Sequence, residues 1–272
     1  MLNASDQVIV TTNHIKEYYH KTFGVPLEKI VALPNLLPRW WIGDKYDPNK
    51  KLAQFQHFKA KPRIGVVSSA SHFNLEGITD ESGQLVKDDF DEIVQTIRET
   101  VDDFQWVVFG IVPKQIEDLA KAGKVQCVGG VPIIEYPSAL HSLQLQAVVA
   151  PLLDNEFNHC KSAIKYLECS ALGIPLFASR MLPYSDVMPD RQLFSTQDEL
   201  KEKLKKLKYS STGAYGKCIE QQWKWLNSPR RDGDFDLRDS WMESNMGIYV
   251  KLSQMPLKNV VKPPLQNPQN VL

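Results

Sequence analysis

The sequence is short of cysteine, of long apolar runs and of net charge, and each shortage removes a class of protein. Its four cysteines, Cys127, Cys160, Cys169 and Cys218, make no Cys-x-x-Cys pair and no zinc-ligand spacing. Reduced thiols are therefore expected, not a disulfide framework or a zinc knuckle. No apolar stretch reaches the roughly 18 residues that a membrane-spanning helix needs. The opening Met1-Leu2-Asn3-Ala4-Ser5-Asp6 lacks the basic and apolar regions of a signal peptide. The expectation is a cytoplasmic protein without a transmembrane segment, with peripheral contact at the inner membrane face left open. Lys+Arg and Asp+Glu both number 32. Phosphate-backbone binding needs clustered positive charge, so nucleic acid is not an expected partner. Neither GxxxxGK[ST] nor GxGxxG occurs. A common dinucleotide cofactor is thus unsupported.

What is present is a strand–helix alternation. Gln7–Thr11 is a β-branched run, Thr12-Asn13 can cap a helix from His14 to Phe23, Gly24 and Pro26 stop it, and Lys29–Leu33 is a second strand. Leu36 to Pro62 reads as a connector, with Pro38, Pro48, Pro62 and the pair Trp40-Trp41; the two indoles are expected in an interface, or less readily as a stacking platform. Strands then follow at Ile64–Ser68, Trp106–Phe109, Val125–Val128, Ala147–Ala150, Pro175–Ala178 and Leu193–Ser195. Helices are expected over Lys87–Val101, Tyr136–Leu143, Ser162–Leu172, Asp198–Leu207, Ala214–Leu226 and Phe235–Leu252. The strands are continuous apolar runs, the pattern of a parallel sheet covered on both faces. The predicted fold class is α/β, a doubly wound Rossmann-like parallel sheet. The expected divisions are 1–61, a strand–helix–strand piece and connector; 62–212, the Rossmann-like domain; 213–254, C-terminal helices; and 255–272, a loose tail.

Ligands of such sheets lie beyond the carboxyl ends of the strands, at the topological switch point. Three loops fall there. The first, Ser68-Ser69-Ala70-Ser71-His72, is small and polar, so its backbone N–H groups can approach a phosphate; an ordinary βα loop is the competing reading, and His72 alone is more often a satisfied loop histidine. The second is Gly129-Gly130-Val131-Pro132. The third, Pro151 to Asn158, leads into His159-Cys160-Lys161-Ser162-Ala163-Ile164-Lys165-Tyr166-Leu167-Glu168. Ser162 is placed to cap the next helix, which sets Lys161 and free amides at the positive end of its dipole, a ready anion site. Ile164, Leu167 and Ala171 share a face expected against the sheet, and Lys161, Lys165, Glu168 and Leu172 share another. Lys165 and Glu168 then read either as an exposed i,i+3 ion pair or as ligand-facing groups.

The run Ala150 to Ser179, APLLDNEFNHCKSAIKYLECSALGIPLFAS, resembles the donor-site signature of group-one, family-four-like retaining glycosyltransferases of the GT-B fold. The shared positions are Pro151, Leu152, Asn158, Lys161, Ser162, Lys165, Glu168, Gly173 and Pro175. Gly129-Gly130-Val131-Pro132 and Tyr136 upstream and Pro183-Tyr184 downstream fall in the family's order, and Ala4 to Asn35 is similar to the end of its N-terminal domain. The resemblance implies a nucleoside diphosphate sugar donor, of UDP or GDP type, and transfer of a hexose to an acceptor hydroxyl with retention. It implies Lys161, Glu168 and His72 as catalytic residues, with Ser69, Ser71, Gly130, Asn158, Ser162 and Lys165 around the donor, and neither a metal nor a cofactor. Cys160 stands where the family's E-x7-E motif has its first glutamate, which leaves Asn158 and Glu156 as candidates for contacting the sugar. The acceptor half is mostly missing from the chain, which implies a partner polypeptide or a repurposed remnant. Two other functions stay open: a non-catalytic nucleotide-sugar-binding or scaffold protein, and a transferase acting on modified DNA bases.

Overall fold

A computed structural model of the chain describes residues 5–35, 37, 61–69, 72, 77–209, 213–226, 230–232 and 235–237. Most of the connector, including Trp40-Trp41, lies outside them, as do Ser71 and the tail 255–272. The first unit is β1 (Val8–Val10), α1 (Asn13–Phe23) and β2 (Ile30–Ala32). Thr12 Oγ1 accepts the Ile15 N–H at 3.2 Å to start α1. Gly24, in the left-handed region at φ 63°, ends it by donating to the His20 carbonyl. β1 and β2 pair in parallel, and Val8, Val10, Val25, Ile30 and Ala32 form a small core beneath α1.

The second unit is a six-stranded parallel sheet. Its strands are β3 (Arg63–Ser68), β4 (Gln105–Gly110), β5 (Val125–Val128), β6 (Ala147–Ala150), β7 (Leu176–Ser179) and β8 (Leu193–Phe194). The helices around it are α2 (Val94–Thr100), α3 (Glu117–Lys121), α4 (Tyr136–Ser142), α5 (Glu156–His159), α6 (Ile164–Leu172), α7 (Gln197–Tyr209) and α8 (Gly213–Leu226). The spatial order is β5-β4-β3-β6-β7-β8, so the winding reverses between β3 and β6. That is the switch point of a doubly wound fold.

Successive strand residues point to opposite faces, and this period of two divides the core. Val107, Phe109, Val148, Ala150, Leu176 and Ala178 enter the cluster that holds α4, α6 and α8. Ile64, Val66, Trp106, Val108, Ala147, Val149 and Phe177 enter the opposite one, against α2 and α7. Trp106 is fully buried, and its Nε1–H reaches Thr100 Oγ1 at 3.0 Å, so the indole contributes apolar burial of about 2–3 kcal/mol without stranding a donor. Gly110 ends β4 at φ 115°, and a Cβ there would stand 2.1 Å from the Ser68 carbonyl oxygen. Only glycine lets the carboxyl ends of β3 and β4 approach so closely.

Several sequence expectations differ in detail. Lys87–Val101 is not one helix: Asp88 and Asp91 make a capping box around a 3-10 turn at Asp89–Glu92, and α2 starts after Ile93. α3 and α5 are too short to leave a periodic signal. The helix expected at Phe235–Leu252 is contradicted at its start, where β10 (Phe235–Leu237) pairs antiparallel with β9 (Arg230–Asp232); the rest of that span lies outside the described residues. Among the described residues no helix is long and apolar enough to cross a membrane.

Candidate functional site

The third loop runs from β6 through α5 to α6 and carries most of the site. α6 begins at Ile164, with Ala163 in the N-cap position and no side-chain cap. Ser162 therefore does not cap it; its Oγ instead accepts from Asn35 Nδ2 at 2.5 Å, tying the loop to the end of β2. The uncapped start leaves the N–H groups of Ser162, Ala163, Ile164 and Lys165 donating to no described residue. Ser162, Ala163 and Ile164, with Lys161, line a cavity of about 150 Å³ whose other wall includes Thr12, His14 and Asn35. A helix opening with unused amides beside a cation has the chemistry to receive an anion.

Lys161 does not stand free. Its Nζ lies 3.1 Å from Asp89 Oδ2 and 3.3 Å from His72 Nδ1. His72 Nδ1 is only 2.8 Å from the same Asp89 oxygen, which assigns the Nδ1 proton to that bond and makes Lys161 the second donor to Oδ2. Asp89 Oδ1 accepts from Leu153 N at 2.9 Å and Asn158 Nδ2 at 2.6 Å. Burial by itself raises the Asp89 carboxyl, but the His72 bond, the Leu153 amide, the Lys161 charge and Asn158 outweigh it and hold the group below the usual carboxylate range. Asp89 is thus a buried, ionised hub between the switch-point strands, and Lys161 keeps ammonium protons for another acceptor.

Asn158 turns inward. It is 1% exposed and donates to Asp89 and to the Leu153 carbonyl. Flipping its amide would set oxygen against two acceptors, so its orientation is fixed. This removes it as a sugar contact and makes it a brace for Asp89. Glu156 is exposed at the cavity mouth, bonded to His14.

Glu168 and Lys165 are not an exposed pair. α6 is buried from Tyr166 to Leu172, because α8 covers the face turned away from the sheet. Glu168 Oε2 accepts from Lys165 Nζ at 2.9 Å and from Tyr136 Oη at 3.0 Å. Tyr136 stacks on Phe109, with centroids 5.6 Å apart. Burial, then the Glu168 charge, pushes its phenol far above its ordinary value, so it stays a donor. Lys165, His72, Asp89 and Tyr184 line a second cavity of about 20 Å³ at the carboxyl ends of β3 and β6. The Lys161–Asp89 pair joins the two cavities.

The structure therefore gathers His72, Asn158, Lys161, Ser162, Lys165 and Glu168 around α6, with Ser69 exposed just after β3. Gly130 lies in the exposed loop after the edge strand β5, outside both cavities, because two strands separate it from the switch point. Asp89, Tyr136 and Asn35 are site residues that the sequence reading gave no role. Asp89 hides in the run Asp88–Glu92, which suits a helix start. Asp89-Phe90-Asp91 also has the Asp-x-Asp spacing that can hold a divalent ion, but the two carboxylates part: Asp91 accepts from Asp88 N at 2.8 Å while Asp89 faces Lys161.

The sequence matches no family model, and no curated protein sequence aligns with it significantly. Solved structures are similar throughout the fold. HepE of Anabaena, in complex with UDP and glucose, superposes with a TM-score of 0.63 at 12% identity, over 92% of this chain and 64% of that one. A glycosyltransferase of Rickettsia africae gives 0.58 at 14% identity, over 92% and 64%. WaaG, a glycosyltransferase of lipopolysaccharide biosynthesis, gives 0.55 at 13%, over 86% and 60%. The fold is that of a GT-B-like glycosyltransferase. The chain spans somewhat less than two thirds of the length of these structures.

Proposed function

We propose that the chain binds a nucleoside diphosphate sugar and contributes to the transfer of its hexose, with retention, to an acceptor hydroxyl. One observation carries this reading: the amide-rich opening of α6, with Lys161 beside it, faces a cavity that the Lys161–Asp89 pair joins to the β3/β6 switch point. A diphosphate placed there meets unused N–H groups, the positive end of a helix dipole and an ammonium already aimed by Asp89 and His72. As the bond between sugar and phosphate breaks, negative charge grows on the leaving diphosphate. Fixed donors stabilise that charge without reorganising, so Lys161 and the four amides carry the electrostatic part of catalysis and no cofactor is assigned a step. Asp89 is a positioning residue, and Glu168, held by Tyr136 and Lys165, offers Oε1 to a hydroxyl of the ribose or sugar. HepE binds UDP-glucose on the same fold, which supports a UDP-type donor. The acceptor, and any chain that helps to bind it, belong to the same proposal.

Calorimetric titration with UDP and with GDP tests the reading. The unaltered chain binds one of them, and Lys161→Ala binds it more than about tenfold more weakly, at least 1.4 kcal/mol. Unchanged affinity in that variant removes the site. Binding without sugar transfer in any donor and acceptor mixture would leave a nucleotide-sugar-binding protein instead.

A further inference from the structure

At the mouth of the larger cavity a second cluster collects groups that hold transition metals. His14 comes from the first turn of α1. Glu156 opens α5 and Cys160 follows it, four residues on, so both project from one helical face. The His14 nitrogen, a Glu156 carboxylate oxygen and the Cys160 sulfur all lie within 4.8 Å of one another. His159 belongs to the same turn. Its ring stands edge-on to His14 with centroids 5.9 Å apart, and its Nδ1 is 3.9 Å from Glu156 Oε2. Its Nε2 meets Asp154 Oδ1 at 2.7 Å.

We propose that His14, Glu156 and Cys160, with His159 as the fourth ligand through Nδ1, bind a zinc-type divalent transition ion. The site does not rest on the sugar-transfer reading. One sulfur, two imidazoles and one carboxylate form a tetrahedral set that suits zinc and excludes magnesium and calcium, which take oxygen ligands. The Asp154 bond fixes His159 as the Nε2–H tautomer and leaves the Nδ1 lone pair for the metal, the usual carboxylate support of a ligating imidazole. Zinc bonds of about 2.0–2.3 Å set the ligand atoms roughly 3.5 Å apart, so side-chain rotations at this partly exposed cluster close the set. Without an ion, Glu156 lies between the two imidazoles, 3.2 Å from His14 Nε2 and 3.9 Å from His159 Nδ1.

Binding forms a sulfur–metal bond, and the Cys160 thiol proton leaves to solvent. An ion here would fasten α1 to the loop that carries Lys161, and both His14 and His159 line the cavity it guards.

Cobalt(II) titration of the full chain, read by the thiolate-to-cobalt charge-transfer absorption and displaced by zinc, decides the matter. The expected result is one ion per chain. Cys160→Ser removes the band, and His14→Ala weakens binding by more than about tenfold. Cys127 is exposed whereas Cys169 and Cys218 are buried, so Cys127→Ser is the control and keeps the band. Absence of a band, its loss with Cys127→Ser, or unchanged affinity in His14→Ala overturns the site. Circular dichroism of each variant separates ligand loss from unfolding, and the UDP titration remains an independent measurement.

Discussion

The two ends of the central sheet solve the same problem with different chemistry. At the amino end, backbone groups of the strands are satisfied by neutral glutamine amides. Gln222 of α8 is fully buried; its Oε1 accepts from Leu176 N at 3.1 Å and from Gln192 Nε2 at 2.8 Å, and its Nε2 donates to the Ile174 carbonyl at 2.8 Å. Gln146 accepts from the Arg63 amide. At the carboxyl end two buried carboxylates are held by partly buried partners: Asp89 by Lys161 and His72, and Glu168 by Lys165. A neutral amide costs far less to bury than an ion, so structure alone favours the first solution. Ions retained where a cavity opens are what an anionic ligand needs. Under the proposed function, the ends separate a stability role from a binding role.

Three substitutions probe that division. Asp89→Ala strands Lys161 and the Asn158 amide, and removing one partner of a buried pair costs about 3 kcal/mol. Urea unfolding should show that loss, and the UDP or GDP affinity should fall as well, because Lys161 is no longer aimed. Gln222→Ala leaves the Leu176 amide and the Ile174 carbonyl unpaired at the other end and costs about 2 kcal/mol. Its donor affinity should stay unchanged below the melting transition; a lowered affinity with unchanged stability would break the comparison. Glu168→Gln keeps the shape but loses the charge facing Lys165, costs about 1 kcal/mol, and should weaken donor binding severalfold.

Much of this architecture is readable in the residues and some is not. The strands are legible because a parallel sheet covered on both faces needs continuous apolar runs such as WVVF and AVVA. The α1 boundaries are legible because Thr12 and Gly24 are local signals whose bonds stay within the element. Lys161 stands out because a cation before a helix start is unfavourable without an anion nearby. Asp89 does not stand out. Its partners lie 17, 64, 69 and 72 residues away, and no local pattern encodes such contacts. The same holds for Ser162: a serine before an apolar run is a sound cap signal, but Asn35, 127 residues distant, takes the hydroxyl and the helix starts later. An exposed reading of Glu168 stays open in the sequence because the cover supplied by α8 has no signal within α6 itself.

The smallest effect expected is the most specific to the carboxyl end. Asp89 holds its proton less tightly in the folded chain than an unfolded aspartate does, because three hydrogen bonds, from His72, Leu153 and Asn158, and the Lys161 charge outweigh the burial that opposes them. A group with a depressed folded value contributes its stability above the unfolded value, near pH 3.9, and loses it as acid protonates the native state. Unfolding free energy should therefore fall as pH drops through and below about 4, with a component that disappears in Asp89→Asn. Gln222→Ala should lower the whole curve and leave that component intact, since no ionisable group faces Gln222 through the bonds it makes. If Asp89→Asn kept the full acid-dependent slope, Asp89 would not be the charged hub, and Lys161 would need another partner to hold it toward the cavity.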